Sequence, residues 1–287
     1  MKFIVIAFLL FFTSCITTLL FEEDAYVPTP VVGCLFHPDS TWKLHLSLSE
    51  PLSNSTRRIV DIDSSYWITD AEVNIFENGE FYTQLEYSEK GYYRSPKKPS
   101  PGKTYRLKIE TKDFGTIEAE DQVPLPPDME YHGKTKITDE YGNEVDAYHV
   151  EIIDPKGQEN HYFILFETFS TGISVVDSSE YSYYENYYTN LLEEDILDTF
   201  ELDYRLYISD KGMDGETLSL HFSGGNFAVS RADQKYFYVG SASSHYINYH
   251  KALAELRKDM IYVAEKPRMY TNIQGGGGIF AAYNFNN

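Results

Sequence analysis

Side chains able to do acid–base or metal chemistry are plentiful in this chain, but few stand at spacings that such chemistry uses. His245 and His250 lie five apart in SSHYINYHKALAELRKDM, which on a helix sets them roughly 140° from each other around the axis. They cannot share one ion. The other histidines are scattered and no HExxH occurs, and a lone His in a strand is ordinarily a half-exposed sheet residue. Oxygen ligands fit better: Asp210, Asp214 and Glu216 cluster around two glycines in SDKGMDGE, a calcium candidate of the carboxylate type that extracellular modules use. The spacing is not that of an EF-hand loop, and an ordinary acidic turn is the alternative. No other metal and no cofactor is expected.

Two glycine motifs invite a phosphate-binding reading. PGKT at 101–104 would need a Gly five residues before its Gly-Lys pair, where Lys97 stands, and a strand pattern follows it instead of a helix. A hairpin turn explains it. GGGG at 275–278 precedes the strand-like IFAAYNF, so no helix N-terminus is available for a phosphate; close approach of two backbones accounts for the glycines. No GxSxG elbow is present. Of the two cysteines, Cys34 lies in the apolar VVGCLF and reads as a small buried thiol. These observations point away from an enzyme.

Cys15 is different. It follows Thr13-Ser14 and an apolar core running from Phe3 to Phe12, with Lys2 in front, the n-region, h-region and small-residue order of a secretory signal. A Cys directly after such small residues resembles a bacterial lipobox, in which the Cys is acylated and becomes the new N-terminus. Polar Thr13, Ser14, Thr17 and Thr18 break up the longer Phe3–Phe21 stretch, which is close to the roughly 20 residues of a spanning helix. An uncleaved anchor and secretion without lipid are the two alternatives, and all three place the body outside the cytoplasm. Two or three acyl chains, at about 0.8 kcal/mol per buried CH₂, would hold a soluble body firmly on a membrane.

The elements follow from pattern. TWKLHLSLSE alternates, with Trp42, Leu44, Leu46 and Leu48 on one face and Lys43, His45, Ser47 and Ser49 on the other, as in a half-buried strand. DAEVNIFENGEFYTQLEY holds two β-prone runs joined by Asn78-Gly79, the strongest short hairpin signal. Tyr105, Leu107 and Ile109 alternate with charged residues after PGKT. The chain therefore divides into a signal peptide (1–14), a tether (15–25), an immunoglobulin-like β-sandwich (26–121), a stiff Pro-rich linker (122–128) and a β-rich C-terminal domain (129–287). That last part carries one amphipathic helix at about 243–259, with Tyr246, Tyr249, Leu253, Leu256 and Met260 at helical spacing and Ser243 or Ser244 as cap. The fold class is mainly β. Net charge is −20, which opposes binding to nucleic acid or a bare anionic lipid surface.

The ordered set of WKLHLSLSE, DAEVNIFENG, GYYRS, PGKTYRLKIET, VPLPPD, YISDKGMDGE and PRMYTNIQGGGGIFAAY, behind a lipoprotein-type signal, resembles the Bacteroidetes outer-membrane lipoproteins designated domain of unknown function 4249. The resemblance implies a cell-envelope protein, often encoded beside TonB-dependent receptors, with no established enzymatic activity and no agreed site. It leaves open which face of the outer membrane the protein takes. The expected function is a non-catalytic binding or accessory module for an outer-membrane receptor or transporter, held to the membrane by its lipid. A carbohydrate-binding surface lipoprotein is the alternative, and an envelope hydrolase a third. The stretch at 178–198 is rich in Tyr and acidic groups without a clean period and reads as a long loop with a helical turn or as the most exposed surface of the domain. The expected contact surface is its Tyr181, Tyr183, Tyr184, Tyr187 and Tyr188, since aromatics offer large contact area at low entropy cost. The same tyrosines could instead fold back on the domain.

Overall fold

A computed structural model describes residues 27–50, 64–138, 142–173, 180–187, 190–191, 198–211, 214–223, 234–259 and 269–285. Cys15, Tyr188 and Met260 lie outside them. The chain is mainly β, and among the described residues one α-helix lies near its C-terminus. Among the described residues no helix is long and apolar enough to cross a membrane.

The first seven strands are β1 (Pro30–Phe36), β2 (Trp42–Leu48), β3 (Glu72–Glu77), β4 (Glu80–Glu89), β5 (Tyr92–Ser95), β6 (Thr104–Thr111) and β7 (Gly115–Gln122). Their alternation drives them into two layers: Trp42, Leu44 and Leu46 face Tyr105, Leu107 and Ile109, each 1% exposed or less. The Trp42 and Tyr105 rings meet edge to face at 5.2 Å. β4 serves both layers, pairing with β3 through Leu85 and with β5 from Glu86 onward, with an irregularity between Tyr87 and Glu89. Asn78 and Gly79 take φ of 50° and 89°, the left-handed pair that a two-residue hairpin turn needs.

Beyond Gln122 the linker is extended and pinned. Val123 N–H donates to Lys103 O at 3.0 Å, its own carbonyl accepts from Gly102 N–H at 2.8 Å, and Asn284 Nδ2 donates to Pro124 O at 2.9 Å. The second unit contains β8 (Asp128–Thr138), β9 (Glu144–Ile153), β10 (His161–Ile173), β11 (Glu180–Tyr187), β12 (Asn190–Leu191), β13 (Asp198–Leu202), β14 (Arg205–Ser209), β15 (Thr217–Ser223), β16 (Gln234–Ala242), α1 (Ser244–Asp259) and β17 (Gly277–Phe285). It is a three-layer stack. A four-stranded sheet ordered β12-β15-β9-β8 packs Val150, Ile152, Leu218, Leu220 and Phe222 on Tyr162, Ile164 and Ile208 of the long sheet. The opposite face of the long sheet presents Phe163 and Tyr207 to Tyr246, Ile247 and Ala254 of α1.

One strand joins the two units. β17 runs parallel to β1, from Val31↔Gly277 to Phe36↔Ala282, and antiparallel to β16 on its other edge. The long sheet is thus continuous, ordered β13-β14-β10-β16-β17-β1-β2-β5-β4-β3-β6-β7. Phe280 and Ala282 enter the sandwich core, while Ile279 and Ala281 enter the core under α1. The glycine run makes this approach possible: a Cβ on Gly278, at φ +98°, would stand 2.0 Å from Val32 O. Close backbone approach accounts for Gly275, Gly276 and Gly278, whose added Cβ atoms would meet the carbonyl oxygens of Thr116, Pro30 and Val32.

Two elements differ from the expected pattern. Residues 180–187 form strand β11, paired with the outer half of β10; Tyr is a strand former even without apolar alternation. The buried face of α1 is centred on Tyr246, Ile247, His250 and Ala254, about one position away from the expected stripe, with Tyr249 and Leu253 packed at its margin.

Candidate functional site

A cleft of about 760 Å³ opens where the linker crosses the second unit, within the size range of small-ligand and peptide-anchor sites. One wall is the end of β7 and the linker, the other is the 153–162 segment, and the floor is the start of α1. Pro124, Pro126 and Pro127 stiffen the first wall by fixing φ. Leu125 and Ile153 stand at the rim, 66% and 50% exposed. The charged side chains among the described lining residues are the acidic Asp121, Asp128 and Glu159. Such a lining suits an apolar or cationic segment and opposes an anion.

Asp121 is the central polar group of the floor, 8% exposed. Its Oδ2 accepts from Ser243 Oγ–H at 2.5 Å and from Ala282 N–H at 2.7 Å; its Oδ1 accepts from Gln122 N–H at 2.9 Å. One carboxylate therefore ties β7, the start of α1 and β17 together. Burial pushes its pKa up to about 6, against the pull of those donors and of nearby His245. Ser243 Oγ also accepts from Tyr246 N–H at 3.2 Å, which makes it the N-cap of α1. His245 Nδ1 is bonded to the Tyr270 hydroxyl, and the ring lies between this cleft and a second one of about 580 Å³.

Serine, histidine and aspartate thus meet here, but not as a nucleophile and its base. Ser243 gives its proton to Asp121 and its lone pair to the helix, so the group is a cap and a latch. A serine of the Ser-His-Asp triad directs its hydroxyl proton at the histidine.

Next to Asn160 of the cleft lining, Asp210 and Asp214 come together as the sequence suggests, and the third member is Asp154. Glu216 is not in the cluster: its side chain is exposed, and only its backbone carbonyl takes part, accepting from Asp154 N–H at 3.2 Å. The reason is pairing, since Thr217↔Ile153 draws the residue after β9 against the turn before β15. Asp154 and Asp210 are 4% and 2% exposed. Asp154 accepts from Tyr162 Oη–H at 2.6 Å and Gly215 N–H at 2.9 Å, Asp210 from Asn160 N–H at 2.8 Å, and Asp214 from Gly157 N–H at 2.6 Å. Burial, with Asp154 close by, raises the Asp210 pKa; burial and the Asp154 bond raise that of Tyr162. The donor set is all oxygen, of the kind hard cations take, and its evident work is locking the loops that form the second wall.

The other sequence candidates lie elsewhere. Tyr181, Tyr183, Tyr184 and Tyr187 stand in β11 opposite Gly172, Ser170, Phe169 and Phe166 of β10, away from the cleft-forming end at His161. Cys34 is fully buried in the sandwich, where burial drives its thiol pKa upward and leaves it inert. Asp121 and Asp154 escape sequence reading, because their partners are 122 residues away at Ser243 and 61 away at Gly215.

Fold and site together define a two-unit, mainly β protein sharing one terminal strand, with a mixed apolar and acidic cleft at the seam. The family model described as Domain of unknown function (DUF4249) matches residues 16–287, and the chain belongs to that family. No curated protein sequence and no solved structure matches it.

Proposed function

We propose that this protein is a lipid-anchored outer-membrane envelope protein, acylated at Cys15, that acts as a non-catalytic accessory module for a TonB-dependent receptor or another barrel transporter. The observation that carries the reading is the seam cleft, whose stiff Pro-rich wall, exposed Leu125 and Ile153, and acidic lining suit a segment of a protein partner. Rim residues such as these can contribute contacts without being needed for the fold. The carbohydrate reading is less well supported at this cleft. The tyrosine in its lining, Tyr162, is 2% exposed and offers no ring face to a sugar.

Affinity purification of the full chain from its own membranes, with mass analysis of the N-terminal peptide, tests both halves. The expected result is an acylated Cys15 and co-recovery of a barrel protein that Leu125→Asp with Ile153→Asp abolishes while thermal unfolding is unchanged. Recovery of the barrel undiminished by the double variant would exclude the cleft. An unacylated Cys15 would exclude the anchor.

A further inference from the structure

The outer face of the four-stranded sheet carries a row of three histidines that the sequence scatters over 90 positions, His132 on β8, His149 on β9 and His221 on β15. Strand pairing aligns them. His221 lies directly opposite His149, and their rings are 4.4 Å apart and nearly parallel. On the other side, the β8 register slips between Tyr131 and Gly133, so that Gly133 is the residue opposite His149 and His132 is the extra residue of a bulge. Bulges of this kind re-aim a side chain, and here the His132 ring stacks on His149 at 4.5 Å. Glu151, two residues along β9 on the same face, closes the group: its carboxylate is 3.0 Å from His132 Nε2 and 3.7 Å from His149 Nε2.

We propose that His132, His149 and Glu151 form a binding site for a divalent transition-metal ion of the zinc type, with His221 beside it as a further imidazole ligand. One ligand atom from each of the three lies within 4.8 Å of the others, so small side-chain rotations bring them onto one ion at about 2.0–2.1 Å. Two imidazoles and one carboxylate select zinc or copper over calcium and magnesium, which take oxygen. One outer partner is also near. Glu130 Oε1 is 4.0 Å from His132 Nδ1, on the ring nitrogen opposite the Nε2 that faces Glu151, and a carboxylate on that side can orient a ligand imidazole. Ser219 Oγ, 2.9 Å from His149 Nε2, sits on the nitrogen nearest Glu151, so an ion bound through Nε2 takes the place of that hydrogen bond. The face is partly open, with Glu151 and His132 side chains 34% and 32% exposed, so an ion has a path in. The site is independent of the seam cleft and of any partner.

The test is calorimetric titration of the full chain in detergent with zinc chloride, together with X-ray absorption of the zinc-loaded protein. The expected result is one equivalent bound near neutral pH, absorption features of imidazole nitrogen and carboxylate oxygen, and weaker binding at acid pH, where protons compete for imidazole. His149→Ala and Glu151→Gln should each weaken binding about tenfold or more, while Asp214→Ala leaves it unchanged. Absence of saturable binding, a spectrum without imidazole, or retention of wild-type affinity by His132→Ala with His149→Ala would overturn the assignment. The spectrum is read on the unaltered chain, so a variant that fails to fold cannot mask a wrong proposal.

Discussion

At the scale of single residues, the buried carboxyl groups of Asp121 and Asp154 organise the site. Asp121 has a folded-state pKa near 6 against 3.8 for the free side chain. The fold thus favours its protonated form. The associated stability is fully present below the unfolded value and is lost as pH rises through about 6. Asp121→Asn does not titrate, so other groups cancel in the comparison. From about pH 5 to about pH 7.5 the stability of the native chain relative to this variant should fall by about 1–2 kcal/mol in urea unfolding; a difference independent of pH would refute the assignment. Neither residue was legible in the sequence, for a physical reason. A carboxylate announces a role only through its neighbours, and the neighbours here arrive by long-range strand pairing. Asp210 and Asp214 were legible because they stand only four positions apart in a glycine-rich stretch, whereas Glu216, one position from the start of β15, is exposed.

At the scale of elements, strands with a strict alternation were legible, whereas β11 was not. Trp42, Leu44 and Leu46 fixed the inner face of β2, and Asn78-Gly79 fixed the β3–β4 hairpin, because both signals are local. β11 was missed because EYSYYENY has no two-residue alternation of apolar groups, although its tyrosines favour a strand. The helix was found through its helical spacing with a cap at Ser243 or Ser244, of which Ser243 does the capping, but its buried face includes His250, a polar residue made tolerable there by the bond its Nδ1–H donates to Tyr246 O at 2.8 Å. The GGGG run gives a sharp comparison within one element. A Cβ on Gly278 would collide with Val32 O, whereas one on Gly277 meets nothing within 4 Å. Gly278→Ala should therefore destabilise the chain by about 2–4 kcal/mol and Gly277→Ala by less than about 0.5 kcal/mol, as read from thermal or urea unfolding. Equal effects would show that β1 and β17 do not approach as described.

At the scale of the whole molecule, the mainly β class, the early sandwich and the single late helix follow from sequence, and the seam does not. A Pro-rich segment suggests a boundary at 122–128, and in the structure it runs between β7 and β8. Yet β17 returns across nearly the full length of the sequence to lie against β1, with Phe280 facing one core and Ile279 the other. No local pattern encodes a parallel pairing between the first and last strands. The return matters for function because the cleft exists only where the linker, held by Asn284 of β17 and by Gly102, is pressed against the second unit. The central claim is that a membrane partner docks in this cleft, and photo-cross-linking in intact cells tests it most directly. A photoreactive side chain would replace Leu125 at the rim, or Lys112 at the far tip of the β6–β7 hairpin, where that side chain is 78% exposed. The expected result is an adduct with an outer-membrane barrel protein from position 125 and none from position 112. Adducts of equal yield from both positions, or none from 125 with the protein correctly anchored, would contradict it.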